Sequence, residues 1–329
     1  MIDAHCVVIG GGTGSFSVLS SLRHRVSSIS ALVSMTDDGG STGILRDELG
    51  VLPPGDVRQC LVALSGAPEE LRDLFNFRFE EGSLSGHSFG NLFLSAVEKM
   101  TNNFSDAVRM AGDVLNIQGE VLPITLDNVR LAIRWGDGTV VRGEGHIDIM
   151  HFVKAKGRPQ LYLEPQARIN PDAARAIRHA DLIVIAPGDL YTSLGPLLIV
   201  EGVAEALTQS KAKIIYVSNL VTKPGQTSGF TVADHAAEIE RFTGEPFLDC
   251  VVYNTGVPAP ELFEKYTKTG EMLVEADARQ LAAAHYSALG RPLIATMPAQ
   301  TAQSDPLAAH RSLIRHEAEA LAEVLLGLL

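Results

Sequence analysis

Five times in this chain a short run of apolar, largely β-branched residues stops at a loop of glycine, aspartate, asparagine, serine or threonine. "HCVVI" runs into "GGGTG", "ISALVSM" into "TDDGG", "DLIVI" into "APGD", and "AKIIYV" into "SNL"; "LDCVVYN" follows further on. Strands that are apolar throughout, rather than alternating, are covered on both faces. Such strands, separated by helical segments, build a parallel sheet with crossover helices on either side. The expected fold class is α/β: a Rossmann-like, doubly wound, mostly parallel sheet. Ligands of open sheets of this kind bind beyond the carboxyl ends of the strands, where these polar loops gather.

The rest of the chain fits round that frame. From Val57 to about Leu115 apolar residues recur at helical spacing, as in "VRQCLVALS" and "SFGNLFLSAVEKM". From about residue 120 to 165 the texture turns to β. "EVLPIT", "VRLAIRW", a Gly136-Asp137-Gly138 turn, "TVVRGEGHIDI" and "PQLYLEP" read as a small antiparallel insertion. "GPLLIVEGVAEAL" and "TVADHAAEIERF" read as helices, "RPLIATM" as a last strand, and "LAAHRSLIRHEAEALAEVLLGLL" as a closing helix. With no repeat and no low-complexity linker, residues 1–329 are expected to form one domain, less rich in motifs after about residue 256.

The formal net charge of -12 sets this chain against nucleic acid and anionic membrane as partners. Scattered aromatics around the single Trp135 form no stacking series for single strands. An acidic surface still admits a phosphorylated small molecule, held by backbone N–H groups, helix N-termini and a metal ion. Cys6, Cys60 and Cys250 are far apart and fit a reducing cytoplasm. No apolar run is long enough to span a membrane, and "HCVVIGGG" is too short for a signal peptide.

The glycine loop Gly10–Gly14 offers backbone N–H groups to an anion, with a helix dipole behind it. A tight strand-to-helix turn would read the same way. No Gly-Lys-Ser/Thr follows, which excludes a Walker A loop. The G-x-G-x-x-G fingerprint finds Ser15 or Ser17 in its third place, and Asp37 and Asp38 stand where a ribose-binding acid would lie. An NAD(P)-dependent oxidoreductase therefore stays open.

Against that rival, two adjacent carboxylates within "TDDGGSTG" suit a hard cation or a general base better than a ribose. Mg2+ is commonly held by one or two carboxylates together with phosphate oxygens and water. Asp37, Asp38 and Asp56, the last placed by the rigid "LPPG", are the candidate metal ligands and catalytic acids, with Ser41 and Thr42 as neighbouring hydroxyls. The plainer alternative has the pair capping a helix and Asp56 as N-cap of "VRQCLVAL". "SGHSFGNL" offers a second anion site with His87, Ser88 and Asn91, or else an ordinary Ser-capped helix. No strand precedes it, so it is not a nucleophile elbow. "APGDLYTS" adds Gly188, Asp189 and Ser193, and "SNLVTKPGQT" adds Asn219 and Thr222. His146 and His151 suit no zinc spacing. His310 and His316 are expected on different faces of the closing helix, and Asp234, His235 and Glu238 on a solvated helix face.

In this order, "VIGGGTGS", "TDDGGSTGILRDELGVLPPGDVRQCLVAL", "GHSFGNL", "VLPIT", "APGDLYTS", "SNLVT" and "DHAAEI" resemble the CofD-like superfamily. That group holds the 2-phospho-L-lactate transferases of coenzyme F420 biosynthesis and the gluconeogenesis-factor (YvcK) branch. The wording of residues 47–65, "DELGVLPPGDVRQCLVALS", is closer to the second. The resemblance implies a Rossmann-like nucleotide-binding fold. The transferases act with Mg2+ and release GMP; the other branch is associated with UDP-sugars, carbon flow and cell-envelope synthesis. By position, Gly11, Gly12, Thr13 and Gly14 would face nucleotide phosphates, while Gly188, Asp189, Asn219 and Thr222 would line the same crevice. Phe16 departs from the branch, which more often has Leu-Ser there, and it is expected in the pocket wall. The expectation is a cytoplasmic nucleotide- or nucleotide-sugar-binding regulator, with a Mg2+-dependent phospholactate transferase-like enzyme as the alternative. A small-molecule nucleotide is the expected partner, with no nucleic acid and no membrane insertion, and a homo-oligomer, a dimer, is envisaged.

Overall fold

Alternate residues of the first strand, β1 (Ile2–Ile9), belong to different cores. Val7 and Ile9 pack on one face of the sheet, Cys6 and Val8 on the other, and none of the four is exposed. This follows from the two-residue period of a strand whose faces are both covered. The computed structural model describes residues 1–153, 156–295 and 314–329. Its main sheet has seven strands, all parallel, in the order β10-β9-β8-β7-β1-β2-β3. The further strands are β2 (Val26–Val33), β3 (Glu120–Pro123), β7 (Leu182–Ile185), β8 (Lys213–Val217), β9 (Cys250–Asn254) and β10 (Ser287–Arg291). β7 divides as β1 does: Ile183 and Ile185 face one core, Leu182 and Val184 the other. Each such buried side chain contributes about 1.5–3 kcal/mol.

Helices cover both faces. Gly12–Leu22, Gly55–Leu64, Phe89–Thr101, Phe104–Val114 and Ala318–Leu326 lie on one side; Pro171–His179, Val203–Gln209 and Val232–Thr243 lie on the other. A three-stranded antiparallel sheet, β4 (Arg130–Arg134) between β5 (Val140–Arg142) and β6 (Gln160–Glu164), joins the second side. Its Leu131, Ile133, Leu161 and Leu163 supply the apolar face.

The strand order locates the functional end. From β1 the chain goes to β2 and β3 on one side, then returns to β7 beside β1 and continues outward to β10. The winding reverses between β1 and β7, and a crevice opens at such a reversal.

Several expectations need correction. "EVLPIT" is not antiparallel: β3 pairs parallel with β2 as the edge of the main sheet. "TVVRGEGHIDI" leaves the β conformation at Gly143, where φ is +93°, and Glu144–Asp148 is a helix. "GPLLIVEGVAEAL" is two helices, Gly195–Leu198 and Val203–Gln209, broken at Gly202 with φ +96°. The last strand is β10, earlier than "RPLIATM"; Thr296 and Met297 lie outside the described residues. The closing helix is observed over Ala318–Leu326; residues 314–317 before it are not helical, with His316 bridging Ile294 instead of lying on the helix. The earlier part of that expectation, with His310, lies outside the described residues. Finally, His235 and Glu238 are fully buried rather than solvated, Glu238 between Arg158 and Arg241. Among the described residues no helix is long and apolar enough to cross a membrane.

Candidate functional site

β1 delivers the glycine loop to the reversal point, and the loop is built for close contact. A Cβ on Gly14 would stand 1.8 Å from the Pro187 carbonyl oxygen, and one on Gly11 would stand 2.1 Å from Asp56 Oδ2. Only glycine lets the β1 and β7 loops and the Asp56 carboxylate meet there. The helix Gly12–Leu22 starts inside the loop, and the N–H groups of a first turn have no partner within their helix. One of them is satisfied: Gly12 N–H donates to Asp56 Oδ1 at 3.2 Å.

Asp56 therefore does not act as an N-cap. It sits within the helix Gly55–Leu64, whose N-cap is Pro54, and reaches across to the glycine loop. Desolvation, then the nearby Asp37 charge, pushes its pKa up to about 7, although Gly12 N–H and Arg58 oppose the shift. Asp37 accepts Gly39 N–H at 3.0 Å and is also held by Thr42; burial raises its pKa. Asp38 does cap a helix, though not its own: it accepts Glu144 N–H at 3.1 Å and Gly145 N–H at 2.8 Å. Glu144 is thereby brought into the carboxylate group. Burial, followed by the charges of Asp37, Asp148, Asp38 and Asp56, pushes Glu144 up to about 9.

The neighbouring hydroxyl Ser41 bonds His87 Nδ1 at 2.9 Å, and Asn91 Nδ2 donates to Ser41 Oγ at 3.4 Å. Arg58 Nε donates to Asn91 Oδ1 at 3.0 Å. Ser88 caps the helix Phe89–Thr101, accepting Asn91 N–H. At the predicted second anion site these side chains form a buried, internally bonded cluster that braces the first turn of the helix Gly40–Leu49, which carries Thr42 and follows Asp37.

On the other side of β1 lies a cavity of about 440 Å3, lined by Gly11–Gly14, Ser17, Pro187–Asp189, Ser193 and residues 219–223. Gly188, Asp189, Ser193, Asn219 and Thr222 all reach it, as the sequence predicts. Phe16 does not line it and is 38% exposed; Ser17, one residue on, takes the wall position. Beyond Asp189 the chain winds a wide π-helical turn, Leu190–Leu194, a geometry frequent at functional sites. Asn219 is committed to the fold: its amide exchanges bonds with the Gly188 backbone and accepts from Tyr216 Oη at 3.1 Å. Thr222 is likewise tied to Met272 through N–H and Oγ1.

Sequence reasoning passed over several lining residues. Lys223 Nζ bridges Asp148 and Asp189, the latter at 2.7 Å. Burial disfavours its charge, but Asp189 and Asp148 outweigh that and raise its pKa. Asp148 was hidden because its segment reads as strand. Glu271, Arg315 and His316 come from the region poor in motifs. Only Lys223, inside "SNLVTKPGQT", carried a local signal.

Residues 10–14, 37–42, 56 and 188–189 thus converge on one end of the sheet. The molecule is a doubly wound α/β protein with a strand-end crevice, flanked by carboxylates on one side of β1 and a cavity on the other. The family description "2-phospho-L-lactate transferase CofD" matches residues 6–294. A relative from Thermotoga maritima is 42% identical over 321 residues, covering 97% of each chain. The gluconeogenesis factor of Bacillus subtilis is 37% identical over 326 residues, covering 98% of this chain and 97% of its own. A relative from Clostridium acetobutylicum is 41% identical over 276 residues, but the match spans 61% of that longer protein. A crystal structure of a UPF0052 family member from Bacillus halodurans superposes with a TM-score of 0.88 at 36% identity, covering 99% of both chains. The chain belongs to the CofD family, and its relatives include gluconeogenesis factors.

Proposed function

We propose that this protein binds a nucleotide or nucleotide sugar of the UDP-sugar kind in the strand-end crevice, and regulates carbon metabolism and cell-envelope synthesis from the cytoplasm. One observation carries the reading. At the reversal of the sheet, glycine backbone lies against the Pro187 carbonyl, and the start of a helix opens on a 440 Å3 cavity. Backbone N–H groups there suit a diphosphate despite the acidic exterior.

Magnesium fits the chemistry of the donor set. The neighbouring groups are oxygen donors, and their raised pKa values reflect carboxylates that burial and mutual repulsion leave short of positive charge. Among the described residues no three His, Cys, Asp or Glu side chains are grouped to hold an ion. Asp38 already receives a backbone N–H on each oxygen, so Asp37 and Asp56 are the residues that would hold the metal. Phosphate oxygens and water would complete its shell. When bound, it would neutralise charge on the diphosphate; the chain itself orients the ligand through Gly11–Gly14 and Lys223.

A second reading, a phospholactate transferase-like enzyme, is favoured by the pKa of Asp56. A carboxylate near 7 is suited to take a proton from an incoming hydroxyl at neutral pH. Thermal shift with UDP, GDP and a UDP-sugar, with and without Mg2+, tests the first reading. Stabilisation by a nucleotide that Mg2+ strengthens is expected; indifference to the whole panel would end it. Phosphorus NMR with a nucleotide-diphospho-linked phospholactate donor, an alcohol acceptor and Mg2+ separates the two, since only the transferase joins the phospholactyl group to the acceptor hydroxyl and releases the nucleoside monophosphate. A homodimer belongs to the proposal and is checked by light scattering, against the 35.2 kDa of one chain.

A further inference from the structure

Ahead of the helix Phe89–Thr101 the chain folds back on itself. Phe79 N–H donates to the His87 carbonyl, Gly86 N–H to the Phe79 carbonyl, and Phe89 N–H to the Phe77 carbonyl. Residues 77–89 are thus a hairpin, with Arg78 opposite Ser88. In an extended strand the backbone groups of alternate residues point to opposite edges. Phe77 and Phe79 point theirs into the hairpin, so Arg78 and Glu80 point theirs out of it. Among the described residues, the N–H and C=O of Arg78 and the N–H of Glu80 have no hydrogen-bond partner. The Glu80 carbonyl accepts Ser85 Oγ at 3.0 Å and keeps a second lone pair. Apolar side chains accompany this open edge. Phe77 is 50% exposed, its ring lies 5.2 Å from that of Phe79, and Leu74 and Leu84 are exposed close by in the chain.

A strand edge of this kind is a template for another chain unless it is blunted, most often by lysine or proline. Residues 77–81, "FRFEE", hold neither. Their charges decide what fits. Two copies related by a twofold axis pair antiparallel, and their outward residues exchange the bonds. A register centred on Arg78 sets two arginines opposite each other, and one centred on Glu80 sets two glutamates opposite; like charges so placed are destabilising. A register centred on Phe79 sets each Arg78 opposite the Glu80 of the other copy. It also brings the two Phe79 side chains together on the other face, as a close pair without backbone bonds between them. We propose that a second copy of this chain pairs antiparallel with residues 77–81 in the register centred on Phe79, and that this edge is the surface of the homodimer. This rests on the homodimer in the reading above and adds where it forms. The hairpin leads into His87, whose ring bonds Ser41, so the dimer surface adjoins the carboxylate side of the crevice.

Light scattering of the full chain over a range of concentrations tests this, against 35.2 kDa for one chain. Wild type is expected at twice that mass. Arg78→Glu and Glu80→Arg each set like charges opposite, and each should raise the dissociation constant of the dimer about tenfold or more. Together they restore opposite charges, so the double variant should return to within about threefold of wild type. Glu80→Pro removes an outward N–H that the hairpin does not use, and should weaken the dimer about as much as a single charge reversal. A wild type that is monomeric throughout would overturn the inference and bring down the homodimer with it. Charge variants and Glu80→Pro that dimerise as tightly as wild type would also overturn it, while leaving a homodimer built on another surface. So would a double variant as weak as the single ones. Recovery in the double variant supports the pairing and excludes misfolding as the cause of the losses, because that chain carries both substitutions.

Discussion

Replacing Asp56 by Asn should make the ligand-free protein more stable and the crevice less competent. The carboxylate rises from 3.8 to about 7 on folding, through desolvation and then the charge of Asp37. A rise of roughly three units corresponds to about 4 kcal/mol, at 1.36 kcal/mol per unit. The sign follows from linkage. The folded state holds the proton more tightly than the unfolded chain, so wild type keeps the full contribution of this group below pH 3.8 and loses it as the pH climbs through about 7. Asn carries no charge at any pH, and its Oδ1 can still accept Gly12 N–H. Asp56→Asn should therefore match wild type near pH 4 and gain about 2–4 kcal/mol above pH 7, after allowance for residual solvent screening. Urea unfolding in EDTA at a series of pH values between 4 and 8 measures this. The same variant should lose stabilisation by nucleotide with Mg2+. An Asn variant less stable than wild type at pH 8, or a gain independent of pH, would refute the argument that Asp56 is retained at a cost to stability.

Other substitutions probe separate parts of the account. Gly14→Ala places a Cβ 1.8 Å from the Pro187 carbonyl, which forces the β1 and β7 loops apart; a loss of about 1–3 kcal/mol and at least tenfold weaker nucleotide binding are expected by calorimetry. Lys223→Met leaves Asp148 and Asp189 facing the cavity without their cation, so nucleotide affinity should fall by about tenfold or more, with a flatter dependence on salt in titrations. Arg241→Met removes one partner of the fully buried Glu238; thermal unfolding should show a loss of about 3 kcal/mol while nucleotide affinity is unchanged, because this network lies away from the crevice.

The sheet was legible because burial on both faces writes itself into sequence. A strand such as "DLIVI" must be apolar at every position, and its polar loop must follow at the functional end. The same rule hid β3, four residues long at the sheet edge, which could be told from antiparallel strands only by its partner. Glu144–Asp148 was misread because its apolar Ile147 continues a β-like pattern, while what starts the helix is a long-range contact: Asp38 accepting its first N–H groups. Glycine loops and the paired aspartates were readable for the converse reason, since they serve no core. His316 carried no local signal at all. Its place in the cavity wall depends on a bridge to Ile294 and on segments about a hundred residues apart. Asn219 and Thr222 show a further limit, for their sequence context marks the crevice without revealing that both are bonded into its wall.

A crystal structure of the protein with a UDP-sugar and Mg2+ tests the central claim most directly. The account predicts the diphosphate against the backbone N–H groups of Thr13 and Gly14, between the Asp37 and Asp56 side and Lys223. A ligand bound with its phosphates away from this strand-end crevice would contradict it.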